Sequence, residues 1–461
     1  MNIWISKYNR FSKNIFMQTP SSYNFGYIVL ISLISALGGY LFGFDFAVIS
    51  GALPFLKAQF GLDAYWEGFT TGSLALGCIA GCFLAGSVSQ MYGRKPALLL
   101  AGFIFIVSSL AMAFASNLSF FITARFAAGI SVGMASMLSP MYIAEVSPPA
   151  IRGRMVSIYQ LTIVIGILMT NLVNYSLRNN GDDAWRWMFG LGAIPAGIFT
   201  LGVLFLPESP RWLVQAGRMQ KAKRALSALG DARYAEETYN TISGSLHNET
   251  IIKTGRLFRK PYLAALIAGI GLAVFQQFCG INVVFNYTTT IFQSIGFSTD
   301  DQLLQTIFIG AVNLMFTFLA MSLVDKVGRK PLLLSGSIGL SILYIAIAGA
   351  LNMQSSFTTY LLLAAIGLYA STLAPVTWIV ISEIFPNKIR AAATSIAVIC
   401  LWAAYFVLTF TFPILVLWMG GIAQTFYVYA AICIIGAVFI WFKTKETTGK
   451  TLEQMDTMFA H

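Results

Sequence analysis

Two charged residues lie inside runs of apolar residues, where they would have unusual chemistry. Asp45 falls in GGYLFGFDFAVISG (38–51), and Arg125 falls in TARFAAGIS (123–131). A charge at the centre of a membrane helix costs a few kcal/mol, so such residues are rare and usually functional. Burial disfavours an ionised carboxylate, whereas a neighbouring guanidinium favours it. A pair that separates and rejoins would therefore take up and release a proton.

A group of amides suits a different kind of chemistry. Gln276, Gln277 and Asn282 lie close together in another apolar segment. An amide away from water needs hydrogen-bond partners, and it can both donate to and accept from the hydroxyls of a neutral polyol. The alternative is that these amides only join neighbouring helices.

The composition places these residues in a membrane protein. Of the 461 residues, 57% are hydrophobic and only 10% are charged, and the mean hydropathy is +0.74. The net charge of +11 comes from basic residues in short loops between apolar runs, so we expect no nucleic-acid binding. With two histidines and no nucleophile motif, we expect neither an enzyme nor a bound cofactor. Five cysteines inside apolar segments predict no metal site and no disulfide: Cys78, Cys82, Cys279, Cys400 and Cys433.

The elements that must position the polar residues are twelve apolar runs, each of about 20 residues, the length of a membrane-spanning helix. They are predicted to start near Tyr27, Glu67, Pro96, Leu118, Met155, Trp187, Pro261, Leu303, Pro331, Thr358, Ala392 and Ile422. A long polar stretch separates six spans from six. We therefore predict an N-terminal tail (1–24), an N-terminal six-helix bundle (25–208), a helical linker (209–259), a C-terminal six-helix bundle (260–442) and a C-terminal tail (443–461).

The distribution of charge predicts the orientation in the membrane. If both tails and the linker share one side, the other side holds Lys57, Arg178 and Arg186, and Arg125 lies within a span. The remaining basic residues all fall on the side of the tails and the linker. By the positive-inside rule, that side is the cytoplasm. Asp45 is the one acid placed deep within a predicted span, so it and Arg125 are predicted to be the only charges of the membrane interior.

The two halves of the chain also repeat each other. The motif YGRKP (92–96) matches VGRKP (327–331), each after the second span of its half. Similarly, AEVSPPAIRGR (144–154) matches SEIFPNKIRAA (382–392). Tandem six-helix halves of this kind are typical of transporters that bind their substrate between two bundles.

Together with PESPRWL (207–213) and QQFCGIN (276–282), these motifs resemble the sugar porter branch of the major facilitator superfamily over essentially the whole chain. The resemblance implies an all-α fold with two pseudo-symmetric six-helix bundles. It also implies that Asp45 matches the proton-titrating aspartate of the family's proton-coupled members and that Arg125 matches its partner. Facilitative glucose carriers have an asparagine at the first of these positions.

The resemblance further implies a sugar site and a cytoplasmic gate. The sugar-binding candidates are Gln160, Gln276, Gln277, Asn282, Asn313, Trp378 and Trp402, with Phe42 and Tyr287 as pocket wall and outer gate. The gate candidates are Gly93, Arg94, Glu145, Arg152, Asp325, Gly328, Arg329, Glu383 and Arg390. Their ion pairs are expected to form when the carrier faces outward and to break when it faces inward; the alternative is that they only orient helices. Asp325 has no acidic counterpart in the first loop, so we expect one half of the gate to be weaker.

Several positions depart from the family pattern. Ile167 stands where the proton-coupled relatives have a glutamine, and Leu401 stands where the family has an amide. Asn286 replaces the first tyrosine of a Tyr-Tyr pair, and Tyr405 replaces an asparagine three residues after Trp402. These departures alter the pocket, so the sequence alone does not identify the sugar.

We therefore predict a proton-coupled importer of a monosaccharide such as a pentose or hexose. Its partners would be the sugar, the proton and the lipid bilayer of the cell membrane, and it would function as a monomer. The alternatives are a facilitative sugar or inositol uniporter with a static Asp45–Arg125 pair, sodium coupling, or a sensor that binds sugar without transport. A single carboxylate without clustered oxygen ligands is a poor sodium site.

Overall fold

The computed structural model describes residues 22–247, 262–385 and 389–446, which are all-helical apart from one β-bridge. The helices of the first half are α1 (Phe25–Phe60), α2 (Ala64–Met91), α3 (Arg94–Ala113), α4 (Leu118–Val146), α5 (Arg152–Leu177), α6 (Ala184–Gly190) and α7 (Ala193–Leu204). Three linker helices follow: α8 (Pro210–Gln215), α9 (Met219–Leu229) and α10 (Ala232–His247). The second half contains α11 (Leu263–Phe278), α12 (Ile281–Asn286), α13 (Thr288–Gln293), α14 (Thr299–Val327), α15 (Arg329–Asn352), α16 (Thr358–Ser371), α17 (Leu373–Ile384), α18 (Arg390–Met419) and α19 (Ile422–Lys443).

These helices form twelve segments that are long and apolar enough to cross a membrane, counted over the described residues. Their starts agree with the sequence prediction to within four residues, and the largest difference is Thr299 against the predicted Leu303. The predicted start at Pro261 lies outside the described part of the chain. The protein is therefore a multi-pass membrane protein of twelve helical spans.

The spans pack as two six-helix bundles with matching internal contacts. In the N-terminal bundle α1 packs on α5 and α2 packs on α4; in the C-terminal bundle α11 packs on α18 and α14 packs on α16. The two bundles meet where α2 packs on α18 and where α5 packs on α14. We call the end that carries α8–α10 the linker end and the opposite end the far end.

Close approach of α1 to α5 fixes the position of Asp45. A Cβ atom built on Gly43 would lie 2.0 Å from the carbonyl oxygen of Ile163, so only glycine fits there. Gly166 of α5 lies in the same way against the carbonyl of Tyr40. Small residues allow this close packing of helix backbones in membranes. Asp45, two residues after Gly43, is thereby held at the centre of the bundle.

The seventh and tenth spans are broken near the middle of the membrane. Gly280 separates α11 from α12 with φ +85°, and a Cβ atom there would lie 2.6 Å from the ring of Tyr429. Thr372 separates α16 from α17 with φ −126° and ψ −84°. Broken spans are where transporters commonly form a binding site at membrane depth. The break at Gly280 lies between the predicted sugar-binding residues Gln277 and Asn282.

Backbone hydrogen bonds join the residues just before α1 to the linker. The backbone N–H of Asn24 donates to the carbonyl of Leu229 at 2.8 Å, and the N–H of Asp231 donates to the carbonyl of Ser22 at 2.9 Å. The Asp231 carboxylate accepts the N–H groups of Tyr234 and Ser22, and these bonds lower the pKa of Asp231. The N-terminus of α1 and the linker therefore lie at the same end of the protein.

Candidate proton and substrate sites

Asp45 and Arg125 form an ion pair at the centre of the N-terminal bundle. Each side chain is 1% exposed, and Arg125 Nη1 lies 3.5 Å from Asp45 Oδ1. Among the described residues, Asp45 Oδ2 and Arg125 Nε have no hydrogen-bond partner. The guanidinium also lies 5.6 Å from the ring centre of Phe189, a cation–π contact. The pair thus rests on one long contact and leaves hydrogen-bonding capacity unused on both sides.

The amides of the seventh span form a chain across the break at Gly280. Gln277 Nε2 donates to Gln276 Oε1 at 3.2 Å, and Asn282 Nδ2 donates to Gln277 Oε1. Gln276 Nε2 makes a longer contact of 3.4 Å with the carbonyl of Ala374, beside the break in the tenth span. All three amides are buried. The structure therefore brings together these three predicted sugar-binding residues.

Aromatic rings from both bundles meet between α1 and α18. The ring of Phe42 in α1 lies 5.4 Å from that of Trp402 in α18. Trp402 is buried, and its Nε1 has no hydrogen-bond partner among the described residues. Trp378 is 38% exposed. An indole with a free N–H and an apolar face can contact both the hydroxyl groups and the C–H face of a sugar.

The remaining amide candidates stand apart from this cluster. Gln160 is half-buried in α5 and Asn313 is buried in α14. Within the described residues, neither side chain is hydrogen-bonded to the amides of the seventh span. Their places in the sugar site stay predictions.

Contacts between the bundles close the far end. Tyr287, predicted as an outer gate, is fully buried there, and its hydroxyl donates to the carbonyl of Thr409 at 2.7 Å. Between bundles, Thr289 Oγ1 donates to the carbonyl of Ser50 at 2.8 Å. A Cβ atom built on Gly68 of α2 would lie 2.2 Å from the carbonyl oxygen of Phe410, so the two backbones touch.

The linker end carries the predicted gate charges. Arg94 binds Glu145 through two contacts, Nη2 to Oε1 at 2.8 Å and Nε to Oε2 at 3.0 Å, and Glu145 also accepts the hydroxyl of Ser209. In the second half, Arg329 Nη2 lies 3.5 Å from Glu383 Oε1. Arg152, another gate candidate, is exposed and donates to the carbonyl of Ser147 at 3.4 Å. Its role in the gate stays a prediction.

The two halves repeat this linker-end arrangement closely. Arg390 donates to the carbonyl five residues before it, as Arg152 does in the first half. Each of the two described ion pairs lies within a single bundle: Arg94–Glu145 in the N-terminal bundle and Arg329–Glu383 in the C-terminal bundle. The side chain of Asp325 lies outside the described part, so the expected weakness of one half stays a prediction.

Two acids that the sequence reasoning did not select complete these networks. Glu208 accepts the backbone N–H groups of Arg94 and Lys95, and Glu446 accepts those of Arg329 and Lys330 in the same way. Burial raises the pKa of Glu208 above its usual value, and the hydrogen bonds from these N–H groups and from that of Ser209 oppose this rise. Glu208 lies in the motif PESPRWL, and its place in that motif is the sequence signal that could have identified it.

Another acid, Glu67, is buried at the far end of the second span. The helix α2 begins at Ala64, and Glu67 lies in its first turn. Its Oε2 pairs with Lys57 Nζ at 2.7 Å. Glu67 therefore lies at a helix end, and the assignment of Asp45 and Arg125 as the only charges of the membrane interior stays a prediction. As for metals, no three His, Cys, Asp or Glu side chains group closely enough to bind an ion within the described ranges.

Comparison with known proteins decides the family. The model of the "Sugar (and other) transporter" family matches residues 31–459. The chain belongs to this family. Two sugar transporters are similar to it over nearly their whole length. The arabinose-proton symporter of Bacillus subtilis (strain 168) is 36% identical over 447 residues, 95% of this chain and 96% of that protein. The D-xylose-proton symporter of Escherichia coli (strain K12) is 36% identical over 478 residues, with coverage of 95% and 97%.

A solved sugar transporter confirms the fold. The inward open conformation of the xylose transporter XylE from E. coli superposes with a TM-score of 0.82 at 35% identity, covering 94% of this chain and 99% of that one. The predicted sugar porter resemblance and the fold of two six-helix bundles are thereby confirmed. The family and its similar members are transporters, not enzymes.

Proposed function

We propose that this protein imports a monosaccharide, such as a pentose or hexose, together with protons by alternating access. One observation carries the proposal: the two buried charges Asp45 and Arg125 are joined by a single 3.5 Å contact inside the N-terminal bundle. The names of the arabinose-proton and D-xylose-proton symporters support both the proton and the class of substrate.

The proposed coupling follows from the electrostatics of the pair. An ionised Asp45 is stabilised in the membrane by Arg125, and a protonated Asp45 has no such attraction. Taking up a proton therefore releases α1 from α4 and lets the bundles rock. One proton gains about 2.3 kcal/mol per 100 mV of membrane potential. At one proton per sugar, 100 mV would sustain an accumulation of roughly 50-fold.

The sugar would bind between the bundles. Gln276, Gln277 and Asn282 would bind its hydroxyls, and Trp402 and Phe42 would cover its C–H surface. Gln160, Asn313 and Trp378 would complete the site by their match to the family pattern. Tyr287 would close the site from the far end.

We assign the linker end to the cytoplasm of the cell, with both termini on that side. The concentration of basic residues at this end supports the orientation. The contacts between the bundles at the far end and the similarity to an inward open transporter support an inward-facing state. Arg94–Glu145 and Arg329–Glu383 would hold the ends of their bundles in shape, so that the cytoplasmic gate opens and closes as two rigid surfaces.

The decisive experiment compares Asp45→Asn with the unchanged protein in energised vesicles. Asp45→Asn should lose uphill accumulation but keep counterflow, the exchange of labelled for unlabelled sugar that needs no proton gradient. The double variant Asp45→Asn/Arg125→Met, which removes both charges, should behave in the same way and guards against instability of the single variant.

The outcomes separate the proposal from its rivals. Unchanged accumulation by Asp45→Asn would refute proton coupling through this residue and favour a facilitative uniporter. A lack of sugar flux in liposomes containing the unchanged protein would instead favour a sensor. Accumulation that follows a sodium gradient and not a proton gradient would identify sodium as the coupling ion.

A further inference from the structure

Two residues that depart from the family pattern on different helices contact each other. Asn286 lies at the end of α12 and Tyr405 lies in α18, 119 residues away in the chain. Asn286 Nδ2 and Tyr405 Oη are 2.8 Å apart, and Tyr405 Oη and Asn286 Oδ1 are 3.1 Å apart. Asn286 is 0% exposed and Tyr405 is 2% exposed. The two departures are therefore one physical unit.

The hydrogen-bond donors of this pair are already used. Asn286 donates from Nδ2 to Tyr405 Oη and to the carbonyl of Asn282 at 2.8 Å, and the Tyr405 hydroxyl donates to Asn286 Oδ1. A side-chain amide has two N–H donors, and a phenol has one O–H donor. The pair therefore has no free donor for the oxygen of a sugar hydroxyl and offers it only lone pairs.

The pair lies one helical turn beyond the predicted sugar-binding residues. Phe42, Asn282 and Trp402 form one layer of the site. Phe46, Asn286 and Tyr405 follow them by three or four residues on the same three helices, which places the second layer nearer the far end. The ring of Phe46 lies 5.7 Å from that of Tyr405 and 5.8 Å from that of Phe285. The second layer therefore presents aromatic surface and a satisfied polar pair.

We propose that Asn286 and Tyr405 form a specificity-determining pair that closes the far end of the sugar pocket with an apolar ceiling. The inference rests on the proposed function. It names the preferred class of substrate: a monosaccharide that presents a C–H group, or a deoxygenated carbon, toward this ceiling. A hydroxyl at that position would lose the water that donates to its oxygen and would find no free donor in the protein, which disfavours it by about tenfold.

The test measures equilibrium binding of D-xylose, D-glucose and their monodeoxy analogues to the purified full-length protein. For each hydroxyl position we define a selectivity ratio as the affinity of the parent sugar divided by that of its deoxy analogue. In the unchanged protein, one position should give a ratio of about 0.1, because its hydroxyl finds no donor there. The other positions should give ratios well above one.

Removing either member of the pair should change the ratio at that one position. Tyr405→Phe leaves the Asn286 amide short of a partner, and Asn286→Leu does the same to the Tyr405 hydroxyl. Each single variant should raise the ratio about tenfold, since a free polar group now meets the sugar hydroxyl. The double variant has no polar group left at the ceiling, so its ratio should return to within about twofold of the original.

A matched control removes the same oxygen elsewhere in the C-terminal bundle. Tyr344 is buried and packs on Phe426, and Tyr344→Phe should leave every selectivity ratio unchanged. Tyr405→Phe preserves side-chain volume, so it decides the question alone if Asn286→Leu does not fold.

Single variants that leave every ratio within twofold, or a double variant whose shift equals the sum of the two single shifts, would overturn the inference. Those results would leave proton coupling untouched, because binding is measured without a gradient. If the unchanged protein binds no sugar, the proposed function fails first and the inference fails with it.

Discussion

Arg125 Nη1 lies 3.5 Å from Asp45 Oδ1, and this long contact joins two side chains that are both sealed from solvent. The two partners differ in what each can do when the other is removed. A lone buried carboxyl can become neutral by binding a proton, whereas a lone guanidinium keeps its charge because it does not deprotonate in proteins. The pair should therefore respond asymmetrically to mutation.

Asp45→Asn should be more destabilising at pH 7 than Arg125→Met. The asparagine variant leaves an uncompensated buried cation, at a cost of about 3 kcal/mol, and the double variant should regain much of that loss. Thermal denaturation in detergent measures both effects. Asp183→Asn is the control, since the Asp183 side chain is 64% exposed and its pair with Arg186 should contribute less than about 1 kcal/mol. Equal melting temperatures for Asp45→Asn and Arg125→Met would contradict this account.

Trp378→Ala should weaken sugar binding by at least about fivefold, because the ring would no longer cover the apolar face of the sugar. Titration of purified protein with the transported sugar provides the measurement. Trp418→Ala is the control, because this indole is far more exposed than that of Trp378. The sugar affinity of Trp418→Ala should stay within about twofold of that of the unchanged protein. If Trp378→Ala binds the sugar as tightly as the unchanged protein, Trp378 is not part of the sugar pocket.

Gly68→Val should prevent closure of the far end. The added side chain would meet the backbone carbonyl of Phe410, which cannot move aside without displacing α18. Uptake and counterflow should fall to background while sugar added from the far side still binds. Gly86→Val is the matched control in the same helix, since a Cβ atom there has no neighbour within 4 Å. Normal counterflow by Gly68→Val would show that this contact is not needed for transport.

Gly93→Ala should destabilise the protein more than Gly328→Ala, although the two positions are equivalent in the repeat. Both have positive φ, 108° and 99°, with extended ψ, a conformation that is essentially restricted to glycine and costs alanine about 1–3 kcal/mol. At Gly93 the new Cβ would also lie 2.2 Å from the Glu208 carboxylate, against 3.1 Å from that of Glu446 at Gly328.

Movement of the Glu208 side chain away from the new Cβ atom would cost free energy, because its carboxylate accepts the backbone N–H groups of Arg94 and Lys95. Melting temperatures in detergent rank the variants, with Gly153→Ala as the control that has open space. A larger drop in melting temperature for Gly328→Ala than for Gly93→Ala would contradict this ranking. It would mean that the Glu208 side chain moves to accommodate the new Cβ atom more easily than its hydrogen bonds suggest.

Much of the architecture followed from the sequence because its signals are local. A run of about 20 apolar residues must cross the bilayer as a helix, since no other open structure satisfies its backbone there. The same reasoning made Asp45 and Arg125 conspicuous before their contact was known. The repeated GRKP and Glu–Arg motifs revealed the two halves, since each motif lies within a few consecutive residues.

Partnership between distant residues needed the tertiary structure. The pairing of Arg94 with Glu145 depends on how the start of α3 meets the end of α4 beside the linker, and no local pattern encodes it. The burial of Glu67 arises because α2 packs on α18 of the other bundle. Asn286 and Tyr405 read as two separate departures in the sequence, and only the packing of α12 on α18 joins them. Composition and spacing determined which residues enter the membrane, whereas the three-dimensional packing decided which of them meet.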